Sequence, residues 1–284
     1  MLKVPHEFQL HVSHSCNLTC EGCTHYMNQG HTGNVSLETA IEWMDNWKDK
    51  IIPKRFTLMG GEPCIHPDLG DFVWETRKRW PNSYTEVVTN GFLLPRHPNL
   101  YEPLRKTKTV LAISVHSNED KKYLERFKPV YELAREWIDR GVQVELRPSI
   151  RHWQRQYKGF GDKMEPYEDN VSSWDVCVSR LCVQLWEGKL WKCPGLAYLP
   201  MQAEKYNLSD KWNPYLKYVP LSPDGDIKKF FLRKAESFCS MCPAHAEYFK
   251  PADPLLPVGY WKKLIEQQLI GHFVVMSCTE HIIF

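Results

Sequence analysis

The sequence predicts an α/β protein built on a parallel sheet, and three observations carry that prediction. Strand-like and helix-like stretches alternate with short connections from Phe8 to Ser149, the pattern of a parallel sheet with crossover helices. Roughly 160 residues hold five or six such units, too few for a closed eight-unit barrel of ~250 residues, so the sheet is expected to be open. Several strands set a polar face against an apolar one, whereas parallel strands covered on both sides read as continuous apolar runs. A polar ligand, or pairing among these side chains, would satisfy the polar faces.

The elements follow in order. Phe8-Gln9-Leu10-His11-Val12-Ser13 alternates with period two, as a strand with unlike faces does. Ser36 is a candidate N-cap for a helix to about Trp47, with Ile41, Met44 and Trp47 near helical spacing. A second strand spans Arg55 to Met59, and a second helix runs from Pro67-Asp68-Leu69 to about Arg79. The third strand is Tyr84 to Thr89 and the fourth Thr109 to Val115, with Leu111, Ile113 and Val115 alternating with Ala112, Ser114 and His116. A long amphipathic helix from about Asp120 to Arg140 stops at Gly141. In the fifth strand, Val142 to Ser149, Glu145 and Arg147 share the polar face. Residues Arg151 to Asn170 are expected to be a linker or substrate-facing loop.

The first strand feeds Cys16-Asn17-Leu18-Thr19-Cys20-Glu21-Gly22-Cys23, a C-x3-C-x2-C triplet. A [4Fe–4S] cluster takes four thiolates, so three from one loop leave one iron open to a small chelating molecule. The alternative is zinc, with His14, His25 or Cys64 as a fourth ligand. After the second strand comes Gly60-Gly61-Glu62-Pro63, whose glycines permit a tight turn and a close approach. The triplet together with this GGEP resembles the radical S-adenosylmethionine (SAM) superfamily, which usually has an aromatic residue where this chain has Gly22. The resemblance implies an open, partial (β/α)6 barrel with its active site at the C-terminal strand ends. It implies that Cys16, Cys20 and Cys23 hold the SAM-cleaving [4Fe–4S] cluster, and that Gly60, Gly61, Glu62 and Pro63 meet the SAM amino group. Further SAM-binding positions fall on Asn90, Ser114 and Arg147; a guanidinium pairs well with a carboxylate.

Five more cysteines form a second group: Cys177, Cys182, Cys193, Cys239 and Cys242. Residues Leu181 to Pro194 are expected to form a hairpin turning at Glu187-Gly188, with Trp186 opposite Lys189 and Cys182 opposite Cys193. Cys239-Ser240-Met241-Cys242 adds a C-x2-C pair, also compatible with structural zinc. The group resembles the twitch or SPASM-type extension of radical SAM enzymes, in which a C-x(9 to 15)-G-x4-C run and later cysteines hold an auxiliary [4Fe–4S] cluster. Cys177, Gly188 and Cys193 fit that spacing, and Cys177 and Cys182 compete for one ligand place. The expected division is a core over residues 1–165, an auxiliary-cluster region over 166–250 and a helical tail over 251–284, in which Cys278 is a small buried residue.

Thirty-six basic against 34 acidic residues give a net charge of +2, which asks for no nucleic-acid or acidic-membrane partner. No apolar signal core and no bilayer-length apolar run is evident. With eight of its ten cysteines in two clusters rather than a disulfide framework, the chain is expected to be cytoplasmic.

The activity implied is reductive cleavage of SAM to a 5′-deoxyadenosyl radical, fed by an external flavodoxin- or ferredoxin-like electron donor. The substrate class expected is a small polar molecule such as a sugar or aminocyclitol, undergoing dehydrogenation or epimerisation. Cys64 is a candidate hydrogen-atom donor, or a small hydrophobe packed beneath the turn. Peptide maturation is the alternative enzyme class, and a zinc-stabilised binding protein the non-enzyme alternative.

Overall fold

The structure is a computed structural model that describes residues 1–20, 22–117, 120–149, 153–246 and 248–249. The expected C-terminal helix and Cys278 lie outside the described residues.

Five strands, β1 (Leu2–Ser13), β2 (Ile51–Gly60), β3 (Tyr84–Thr89), β4 (Val110–Val115) and β5 (Val144–Pro148), pair in sequence order and all in parallel. A two-residue strand, β6 (Trp153–Gln154), lies outside this sheet. The sixth parallel strand is β7 (Cys182–Trp186), which adds to the free edge of β1, with β8 (Lys189–Trp191) antiparallel beyond it. The sheet order is thus β5-β4-β3-β2-β1-β7-β8, consistent with a partial barrel. The strand completing the parallel set comes from the hairpin that the sequence assigned to the extension.

The helices α1 (Leu37–Asp45), α2 (Leu69–Arg79), α3 (Tyr101–Thr107) and α4 (Lys121–Asp139) connect these strands. Ser36 caps α1 by accepting from the Thr39 amide at 3.1 Å, and α4 ends on Gly141 at φ 91°. Helix α3 was not foreseen, because seven residues containing Pro103 carry little periodic signal. The buried residues of all four helices face one side of the sheet, where Phe8, Leu10, Phe56, Leu58, Ile113 and Leu146 join one apolar cluster with Met44, Phe72 and Trp137.

The opposite face carries the polar alternation, and its residues pair mostly with one another. Thr57 Oγ1 lies between Glu7 Oε1 (2.9 Å) and Glu86 Oε1 (3.0 Å), Gln9 donates to Glu7 at 2.6 Å, and Tyr84 donates to Glu145 at 2.7 Å.

The expected hairpin is present, with Trp186 opposite Lys189. Both turn residues are left-handed, Glu187 at φ 52° and Gly188 at φ 71°, as a two-residue turn of matching twist requires. The ladder stops at the pair Gln184 and Trp191, so Cys182 and Cys193 lie beyond its last rung. A second apolar cluster, with Tyr26, Tyr157, Met164, Trp191, Tyr198 and Met241, joins the first cysteine loop to the later chain. The stretch expected to be a loop, 151–170, therefore supplies buried Tyr157 and Met164 to a core.

Candidate metal and cofactor centre

The C-terminal ends of β1, β2 and β3 are fastened to one another before any ligand is considered. Gly61 N donates to Ser13 O and Glu62 N to Ser15 O, each at 2.8 Å. A Cβ on Gly60 would lie 2.2 Å from Ser13 O, and one on Gly61 would lie 2.3 Å from Ser15 O. The close approach that demands these glycines is between two stretches of this chain, the turn and the strand that feeds the cysteine loop.

Glu62 is fully buried. Its carboxylate accepts from the Cys64 amide at 3.0 Å, the Asn90 amide at 2.8 Å and the Thr89 hydroxyl. Burial raises its pKa against these hydrogen bonds. The side chain therefore locks β2 to β3, and among the four turn residues it is the backbone that is left to meet a ligand. Asn90, 4% exposed, donates through Nδ2 to Asn17 Oδ1 at 2.7 Å, which ties the end of β3 into the cysteine loop.

Cys64, the candidate hydrogen donor, lies just after the Gly60 to Pro63 turn. It is 2% exposed within the main core, and its sulfur lies 3.4 Å from the Thr89 hydroxyl. Burial pushes its thiol well above the usual range. It is placed as a small residue packed in the core would be.

Ser114 and Arg147 are register partners on β4 and β5, so the two strand-end positions are brought side by side. Arg147 is already engaged: its guanidinium donates to both oxygens of Glu86, at 3.1 and 2.6 Å, and to Glu145 Oε2 at 2.7 Å. Glu86 was missed by sequence reasoning, although the alternation Tyr84, Glu86, Val88 puts it on the polar face.

In the triplet, Gly22 has φ 73°, a left-handed conformation that accounts for glycine at a position the resemblance gives to an aromatic residue. The Cys16 sulfur accepts from Leu18 N at 3.4 Å, and the Cys20 sulfur lies 3.5 Å from His116 Nδ1. Burial raises the Cys23 thiol, and the backbone amides of His25, Met27, Asn28 and Tyr26 oppose that rise. Cys16 and Cys23 pack against the second apolar cluster. Burial pushes Cys16 up to about 11 and Cys20 to about 12, so uncoordinated thiols here hold their protons, whereas a coordinating metal removes them outright. Partly buried sulfurs with amide donors are what a thiolate-ligated cluster calls for.

The zinc candidates are placed differently. The rings of His11, His14 and His25 gather around Tyr198, with centroid separations from 4.4 Å for His11 to 6.2 Å for His25, and burial lowers His14 to about 4. Among the described residues, no three His, Cys, Asp or Glu side chains are arranged to hold a single metal ion.

The second group separates into four and one. Cys177, Cys193, Cys239 and Cys242 line one cavity of about 30 Å³ with Trp174, Arg180, Lys192 and Phe238. Burial pushes Cys177 up to about 11 and Cys193 to about 12, each raised further by neighbouring thiols of the same set. Cys182 is not among the lining residues; it pairs in register with Glu7 on β1, and its thiol is raised by burial first, then by the Glu7 charge and by the neighbouring Cys177 and Cys193.

A wider groove of about 360 Å³, lined by Asp68, Asp71, Trp74, Arg96 and His97 among others, contains none of the predicted site residues. None of the described helices is long and apolar enough to cross a membrane.

Residues 10–146 match the family model of the radical SAM superfamily. Among solved structures, the chain is similar to Streptococcus suis SuiB bound to S-adenosylmethionine (20% identity, TM-score 0.43, covering 51% of this chain and 34% of that one). It is also similar to BtrN in complex with AdoMet and 2-DOIA (18% identity, TM-score 0.47, 76% and 87%) and to anSMEcpe with bound AdoMet (13% identity, TM-score 0.48, 83% and 82%). The match spans about a third of the length of SuiB. A search of curated proteins finds no match.

Proposed function

We propose that this chain, whose residues 10–146 match the radical SAM family model, is an enzyme that uses Cys16, Cys20 and Cys23 to hold a SAM-binding [4Fe–4S] cluster and acts on a small polar substrate. When bound, the reduced cluster and SAM supply a 5′-deoxyadenosyl radical that abstracts hydrogen from an unreactive carbon. The protein's part is to bind, orient and exclude water. The backbone of Gly60 to Pro63 faces the cysteine loop, held by the two amide bonds to Ser13 and Ser15. Asn90 braces the loop through Asn17, and Ser114 offers a hydroxyl at the next strand end. Arg147 stands beside it, with Glu86 and Glu145 fixing its guanidinium.

The observation that carries a second, auxiliary [4Fe–4S] cluster is the convergence of four thiols on one cavity. We assign it to Cys177, Cys193, Cys239 and Cys242, with Cys182 left outside. The substrate proposed is a sugar- or aminocyclitol-like molecule, and an auxiliary cluster would suit a dehydrogenation, which must dispose of a second electron. The first cluster, held by Cys16, Cys20 and Cys23, would take its electron from an external donor.

The test is anaerobic reconstitution followed by dithionite and SAM. Slow release of 5′-deoxyadenosine is expected from the wild type and none from the variant with Cys16, Cys20 and Cys23 all replaced by Ala. Continued release from that variant would refute the assignment of the site.

A further inference from the structure

Lys192 lies inside the second cysteine group. It is 7% exposed and lines the same cavity as Cys177, Cys193, Cys239 and Cys242. Its ammonium donates to the carboxylate of Glu236 and lies 3.5 Å from the Arg233 carbonyl oxygen, with the Trp174 ring centroid 4.6 Å away. The opposite oxygen of Glu236 pairs with the Arg233 guanidinium at 2.8 Å. Arg180 lines the cavity as well. Two cations, Lys192 and Arg233, therefore share the Glu236 carboxylate beside a site lined by four thiols, while Arg180 donates to the Asp175 carbonyl oxygen. Of Lys192, Arg180 and Arg233, Lys192 is the most enclosed.

A buried ammonium must be paired or it would not be retained, and Glu236 together with the Trp174 face meets that need. A cluster ligated by four thiolates carries net negative charge, and reduction adds one electron with no proton required from Lys192. A fixed cation at the rim stabilises the more negative, reduced form more than the oxidised one. Its effect is large because the site is enclosed by apolar residues, Trp174, Leu196, Phe238 and Met241 among them.

We propose that Lys192 raises the reduction potential of an iron–sulfur cluster held by Cys177, Cys193, Cys239 and Cys242, making that cluster a ready one-electron acceptor. The proposal rests on the auxiliary-cluster reading above, and it assigns to Lys192 a tuning role rather than ligation.

The experiment is a potentiometric titration with dithionite, followed by electron paramagnetic resonance, on full-length protein carrying Ala at Cys16, Cys20 and Cys23 so that only the second site signals. Lys192→Met is expected to keep its iron and shift the midpoint to lower potential, and Lys192→Arg to restore it toward the parent value. Glu236→Gln, which removes the carboxylate that offsets the cation, is expected to shift it the other way. That variant decides the matter if Lys192→Met fails to retain iron. A midpoint unmoved by either neutralising change, with iron retained, would overturn the tuning role alone. Absence of any cluster in the parent triple variant would overturn the auxiliary-cluster reading and this inference with it.

Discussion

The hydroxyl of Tyr26 donates to the carbonyl oxygen of Gly195 at 3.1 Å, while the Tyr26 amide donates to Cys23 O at 3.2 Å. One residue thus joins the first cysteine loop to the segment that follows Cys193. Tyr26 is 2% exposed and left-handed at φ 61°, an unusual backbone for a bulky residue. The two cysteine groups consequently share one apolar cluster.

From that relationship, Tyr26→Phe is expected to lower stability by about 1–3 kcal/mol, the cost of leaving a buried carbonyl without its donor. The readout is the denaturant midpoint of the apo protein. An unchanged midpoint would mean that this bond contributes nothing to joining the two segments.

Gly61→Ala places a methyl group where Ser15 O stands 2.3 Å away and Cys16 Cβ 2.9 Å away. Backbone on the contact side cannot move aside cheaply, and overpacking of this kind costs about 1–3 kcal/mol or more. The expected outcome is a lower melting temperature together with loss of iron from the first site, read by iron analysis after reconstitution. Wild-type iron content would refute the view that the turn and the cysteine loop are interlocked.

Cys177→Ala and Cys182→Ala should behave differently although the residues are only five positions apart. Loss of about four irons per chain, one cluster's worth, is expected for the first and none for the second. Stoichiometric zinc at the second site, or the reverse pattern between the two variants, would refute the four-thiol assignment.

Glu7 gives a dependence on pH. Burial, and next the Glu86 carboxylate, raise its pKa above the usual range. The folded state therefore holds this proton more tightly than the unfolded chain, and the associated stability is lost as pH rises through the folded pKa. Glu7→Gln keeps the acceptor used by Gln9 and Thr57 and removes the charge. The melting temperature of the variant relative to wild type should increase as the pH rises above the usual carboxylate range. A difference that stays constant with pH would show that Glu7 contributes no such dependence.

Periodicity and turn chemistry in the sequence determined the order of strand and helix, the cap at Ser36, the stop at Gly141 and the hairpin at Glu187-Gly188, because each depends on neighbours within a few residues. The triplet Cys16, Cys20 and Cys23 was legible for the same reason, being one short loop with ligand spacing. The partners that only tertiary structure decided are distant in sequence. The edge of β1 chosen by β7 put Cys182 beside Glu7 and left Cys177 with Cys193, Cys239 and Cys242. The engagement of Arg147 by Glu86 spans three strands, and Tyr157 closes over Cys23 O at 3.3 Å from a stretch with no periodicity. Buried charges and polar groups must find partners wherever the sheet brings them, and strand order and register, rather than local spacing, determine which ones they meet.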